Sequence, residues 1–110
     1  MTDAPALFEE IDVLLAQNPV LLFMKGTPEM PLCGFSGFVC QVLERLSVPF
    51  AGVNILERQD LRQAIKDYTN WPTIPQLYIK GEFIGGADIV RDMYQSGELE
   101  AYFRAQGILA

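Results

Sequence analysis

Five residues, Val20-Leu21-Leu22-Phe23-Met24, restrict the folds open to this chain more than any other stretch. They form an unbroken apolar run between Asn18-Pro19 and Lys25-Gly26, too short for a helix and without polar alternation. Such a run reads as a strand buried on both faces, so it lies centrally in a sheet with helices on either side. Upstream, residues 5–17 put Leu7, Ile11, Leu14 and Leu15 on one helical face, with Glu9, Glu10 and Asp12 mostly opposite. Downstream, Phe35, Phe38, Val39, Val42, Leu43 and Leu46 recur at three and four, marking a second helix that ends before Pro49.

Residues 50–55 read as a short strand with Val53 and Ile55 on one face. Residues 60–68 read as a third helix with Leu61, Ile65 and Tyr68 inward. Trp71-Pro72-Thr73-Ile74-Pro75 is a shaped loop, because its prolines exclude helix interior. Residues 76–80 and 82–84 read as strands joined at Gly81. Gly85-Gly86-Ala87-Asp88 then turns into a helix that runs to about Gln95 and closes near Gly97. A last helix over residues 98–106 ends at Gly107. The expected order is α-β-α-β-α-β-β-α-α. The first two strands, joined through a helix, are parallel and right-handed, and the last two form a hairpin. The expectation is a four-stranded mixed sheet flanked by helices.

The chemistry centres on Cys33-Gly34-Phe35-Ser36, which comes after the loop Lys25-Gly26-Thr27-Pro28-Glu29-Met30-Pro31-Leu32 and opens the second helix. A lone cysteine is more often an inert core residue. At a helix start, however, unpaired N–H groups and the positive dipole end stabilise a thiolate, and Lys25 offers a further positive charge. Ser36 stands where a Cys-x-x-Cys motif carries its second cysteine, so no disulfide forms within the motif. Cys40 lies seven residues along the helix, a rise of about 10 Å. Disulfides need Cα atoms within about 7 Å, so Cys40 reads as a packed core residue. Any second sulfur comes from outside, and a small thiol such as glutathione is the obvious source.

Composition removes several alternatives. The chain has 110 residues, a formal net charge of −6, two cysteines and no histidine. Histidine-based catalysis and imidazole metal ligands are absent, and no basic footprint for nucleic acid is visible. Two cysteines are too few for a disulfide-stapled secreted domain. The start, Met1-Thr2-Asp3-Ala4-Pro5, resembles no signal or transit peptide, and no apolar run is long enough for a bilayer. The expectation is one domain over residues 1–110, soluble and cytoplasmic, with neither nucleic-acid nor membrane partners.

Three further groups complement Cys33. X–Pro is the linkage that adopts cis at low cost, and a cis Pro75 leaves the Ile74 N–H and C=O free to pair with an extended peptide. The glycines at 85 and 86 permit close backbone approach, and Asp88 either caps the helix after them or accepts from a ligand's ammonium group. Arg62 by itself reads slightly more readily as a solvated helix residue, the alternative being a bidentate partner for a carboxylate, with Lys25 serving a second. Two cations, one anion and a free backbone edge match a ligand shaped like glutathione.

Four segments in register resemble a monothiol glutaredoxin of the Cys-Gly-Phe-Ser class: Phe23-Met24-Lys25-Gly26-Thr27-Pro28, Cys33-Gly34-Phe35-Ser36, Trp71-Pro72-Thr73-Ile74-Pro75-Gln76 and Gly85-Gly86-Ala87-Asp88. The resemblance spans residues 18–107. It implies a thioredoxin fold with cis Pro75 beside Cys33, and glutathione held by Lys25, Arg62, the Ile74 backbone, Gly86, Ala87 and Asp88. It also implies a [2Fe–2S] cluster with Cys33 as its ligand, shared across a homodimer and passed to recipient apo-proteins, with BolA-like proteins as partners. Thiolate arithmetic agrees: the cluster wants four sulfur ligands, so two chains and two glutathiones supply them. Ala87 departs from the pattern, since many relatives carry cysteine there. The alternative is a glutathione-dependent oxidoreductase in which Cys33 attacks glutathionylated substrates. Residues 27–32 form a longer loop than dithiol glutaredoxins carry, which favours the carrier and at most weak enzyme activity.

Overall fold

In the computed structural model, which describes residues 4–110, the elements appear in the expected order. They are α1 (Ala4–Gln17), β1 (Val20–Met24), α2 (Gly34–Arg45), β2 (Ala51–Asn54), α3 (Gln59–Thr69), β3 (Gln76–Ile79), β4 (Glu82–Gly85), α4 (Ala87–Ser96) and α5 (Glu98–Ala105). Residues 1–3, on which part of the expectation about targeting rests, lie outside the described residues. The sheet order is β2-β1-β3-β4, with β1 parallel to β2 and antiparallel to β3, and β3 antiparallel to β4. This is the thioredoxin-type arrangement that the resemblance implies. Among the described residues, no helix is long and apolar enough to cross a membrane.

Every residue of β1 is buried, and its alternation splits the interior in two. Leu22 and Met24 face a core built with Val39 and Leu43 of α2, Val90 of α4, and Leu99 and Phe103 of α5. Leu21 and Phe23 face the opposite core, with Leu7, Ile11 and Leu15 of α1 and Leu61 and Ile65 of α3. A period of two is therefore present in an all-apolar strand, hidden because both faces are covered.

Some expected core positions are only partly buried. Tyr68 packs edge-on against Phe8, with ring centroids 5.3 Å apart, and its hydroxyl donates to Asp12, so its polar end stays at the surface. Leu14 is half-buried on the rim of α1. Phe35 belongs to the repeat that marks α2 but is 64% exposed, because it sits in the helix's first turn at the site end.

The chain between β1 and α2 is a small closed hairpin. Leu32 N–H donates to Lys25 C=O at 3.0 Å, and Thr27 and Met30 exchange two backbone hydrogen bonds at 3.1 and 3.0 Å. Asn54 Oδ1, at the end of β2, accepts from the N–H groups of Gly26 and Leu56, each at 3.0 Å. Gly26 has φ +90°, and a Cβ there would lie 2.5 Å from Met30 O and 2.6 Å from Leu32 N. Gly26→Ala is expected to lose about 1–3 kcal/mol in urea unfolding; unchanged stability would mean the hairpin tolerates rearrangement.

Candidate functional site

Cys33 is the N-cap residue of α2, in extended conformation at φ −147° and ψ 134°. Its thiol is partly exposed and lies at the helix's free N–H groups. The Ser36 N–H is the main cause that lowers the Cys33 pKa below the ordinary thiol value, with the Phe35 N–H, the Ser36 hydroxyl and the Lys25 charge assisting and partial burial opposing. Ser36 is fully buried, and its Oγ accepts from the Lys25 N–H at 3.1 Å. The residue at the second thiol's position therefore ties the end of β1 to the first turn of α2.

Cys33 opens onto a cleft of about 510 Å³ that contains every site residue expected from the sequence: Lys25, Arg62, Ile74, Gly86, Ala87 and Asp88. The Ile74–Pro75 peptide is cis, as expected, and Pro75 lines the cleft with Cys33. The Ile74 side chain is packed in the α1–α3 core, while its N–H and C=O make no hydrogen bond to another described residue. Arg62 is half-buried, and its Nε is buried without a partner among the described residues.

Gly86, the N-cap of α4, lies close against the proline loop. A Cβ there would lie 3.3 Å from Pro75 O and 3.5 Å from Trp71 Nε1. Asp88 does not cap the helix: α4 begins at Ala87 with Gly86 as N-cap, so Asp88 already lies inside the first turn. Its side chain is 81% exposed and pairs loosely with Arg91 at 3.5 Å.

The cleft also holds residues that the expected ligand set does not include. Lys66 lies one helical turn beyond Arg62 on α3, so the four-residue spacing already placed both on one face. Trp71 packs against Phe83 at 5.6 Å between ring centroids, and its buried Nε1 has no partner. Phe35, which the sequence assigns to an apolar repeat, forms a wall. Lys25, Arg62 and Lys66 are three of only eight Lys and Arg residues in a chain of net charge −6, so the cleft concentrates positive charge. Cys40 stays in the core 3.8 Å from Met24 Sδ, and burial is the main cause pushing its thiol up to about 11. Among the described residues, no three His, Cys, Asp or Glu side chains group as a metal site.

Comparison with known proteins matches the glutaredoxin family model to residues 20–84. The chain is 53% identical over 96 residues to monothiol glutaredoxin-S14, chloroplastic, of Arabidopsis thaliana, a match that covers 87% of this chain and 56% of that protein. It is 55% identical over 86 residues to the probable monothiol glutaredoxin 2 of Rickettsia typhi, covering 78% of each. The solution structure of reduced poplar apo GrxS14 aligns with a TM-score of 0.82 at 51% identity, over 92% of this chain and 93% of that one.

Alkylation by iodoacetamide measured against pH is expected to rise with a midpoint below the usual value of about 8.5 for Cys33, with Cys40 unmodified in the folded protein. A thiol with a lowered pKa is thiolate at lower pH, so the curve shifts to the acid side. Ser36→Ala keeps the main backbone donor and moves the midpoint only part of the way back. Equal labelling of both cysteines would contradict this assignment.

Proposed function

This chain belongs to the glutaredoxin family, in its monothiol class, and on that footing we propose that it binds glutathione and carries a [2Fe–2S] cluster shared between two copies. The supporting observation is that a thiol of lowered pKa shares one cleft with Lys25, Arg62, Lys66, Trp71 and Ile74, and that among the described residues Arg62 Nε, Trp71 Nε1 and the Ile74 N–H of these lining residues have no partner. Buried donors without partners carry a desolvation cost that a ligand's acceptors remove.

Glutathione has acceptors and donors of the right kinds. Arg62, Lys66 and Lys25 take its carboxylates, Asp88 takes its ammonium group, and the Ile74 backbone pairs with the peptide between. The N-terminus of α4 at Gly86 and Ala87 offers further N–H groups to an anionic end. That arrangement leaves the ligand's sulfur on the side of Cys33.

The donor set also fits the cluster as cargo. One chain offers a single exposed thiolate and no histidine, too little to hold the cluster alone. Two Cys33 thiolates and two glutathione thiols complete four sulfur ligands, half of them exchangeable, which suits a group that is handed on. The same reading places a homodimer around the cluster, recipient apo-proteins and a BolA-like protein as partners, and the cytoplasm as the compartment.

The lowered Cys33 pKa favours a second reading as well. In it, the Cys33 thiolate attacks the glutathione sulfur of a glutathionylated thiol and releases that thiol as thiolate. A second glutathione then attacks the Cys33–glutathione disulfide, giving oxidised glutathione and free Cys33.

Anaerobic reconstitution with ferric iron, sulfide and glutathione is expected to give a coloured species that elutes as a dimer. Leaving out glutathione, or replacing Cys33 by Ser, abolishes the colour. Arg62→Ala and Lys66→Ala each weaken glutathione binding about ten- to a hundredfold by titration calorimetry. A colourless monomer with rapid deglutathionylation turns the choice to the second reading.

A further inference from the structure

Among the described residues, Gln76 is, with Ser36, one of two fully buried polar side chains of the core, and neither the cleft nor the thiol chemistry uses it directly. Its carboxamide hydrogen-bonds in four directions. Nε2 donates to Trp71 O at 3.2 Å and to Thr73 O at 3.3 Å. Oε1 accepts from Tyr78 OH at 3.2 Å and faces Thr69 Oγ1 at 3.2 Å. Thr69 Oγ1 in turn accepts the Trp71 N–H at 3.2 Å. One buried amide thus joins the end of α3, the interior of β3 and both arms of the Trp71–Pro75 loop.

We propose that Gln76 is a positioning residue for the ligand: its carboxamide draws the Trp71 and Thr73 carbonyls inward and so leaves the Ile74 peptide edge and the Trp71 indole facing the cleft. This rests on the glutathione reading above. The geometry carries it because Ile74 lies just beyond the two tethered carbonyls, is anchored by its side chain in the core, and alone in that stretch keeps N–H and C=O unpaired. The two carbonyls, both in part-buried hydrogen bonds, have no other protein donor among the described residues, so losing the amide frees the loop. An apolar residue of the same size fills the space without holding the loop.

Trp71 is the chain's only tryptophan, so its fluorescence reports this loop alone. Gln76→Met conserves volume without the hydrogen bonds. Gln76→Glu replaces the two-hydrogen donor with a group that donates one hydrogen, and only when protonated. Both variants are compared with the wild type for circular dichroism, acrylamide quenching of Trp71 and glutathione affinity across pH. The expected result is a folded Gln76→Met protein with more quenchable Trp71 and glutathione binding about ten- to a hundredfold weaker. Gln76→Glu binds better as pH falls, because protonation restores one donor, whereas the wild type lacks that dependence. Folded variants with wild-type quenching and affinity would overturn the proposal. Should one variant fail to fold, the other decides it. Wild-type protein that ignores glutathione would instead remove the proposed function and the ligand half of this inference, and quenching in the ligand-free proteins would still decide whether the amide holds the loop.

Discussion

Burial of β1 on both faces governs everything built around it. A five-residue strand without polar positions has no solvated face, so the chain must bring helices to both sides. Once that happens, the carboxyl end of β1 is held between two cores, and the next segment is presented at one end of the sheet. That segment is Lys25 and the hairpin that delivers Cys33 to the start of α2. The site is thus placed by hydrophobic burial, although none of its chemistry is hydrophobic.

Polar side chains then do locally what the cores do globally. Asn54 holds Gly26, Ser36 holds Lys25, and Gln76 holds Trp71 and Thr73, each by binding backbone groups of a loop that borders the cleft. Loop backbone removed from water needs such partners, and a side-chain donor or acceptor in fixed secondary structure supplies them with a defined direction. The groups left over among the described residues, Arg62 Nε, Trp71 Nε1 and the Ile74 peptide, all belong to residues that line the cleft.

Much of this was legible in the chain. The order of elements comes from apolar periodicity and from glycine and proline punctuation, and the cis Ile74–Pro75 linkage, the inert Cys40 and the cleft residues stand where the motifs put them. Local pattern misled where a residue's neighbours come from elsewhere in the chain. Phe35 fits an apolar helical repeat but lines the cleft, because the first turn of α2 stands beyond the core. Asp88 has the residue type of a cap, but the helix starts two residues too early for it. Gln76 closes one of the motif segments, but residue type alone does not show that its amide joins Thr69, Trp71, Thr73 and Tyr78.

Residue type and spacing along one chain were enough to settle three things: the strand that must be central, the single thiol at a helix start, and the absence of an internal partner for it. Periodicity and chain geometry act directly on such features. Which donors remain unpartnered and which cations share a cleft had to wait for folding, because Lys25, Arg62, Trp71 and Gly86 lie on four different segments. Whether a polar group is satisfied depends on every atom around it, and that neighbourhood exists only once the two cores have closed on β1.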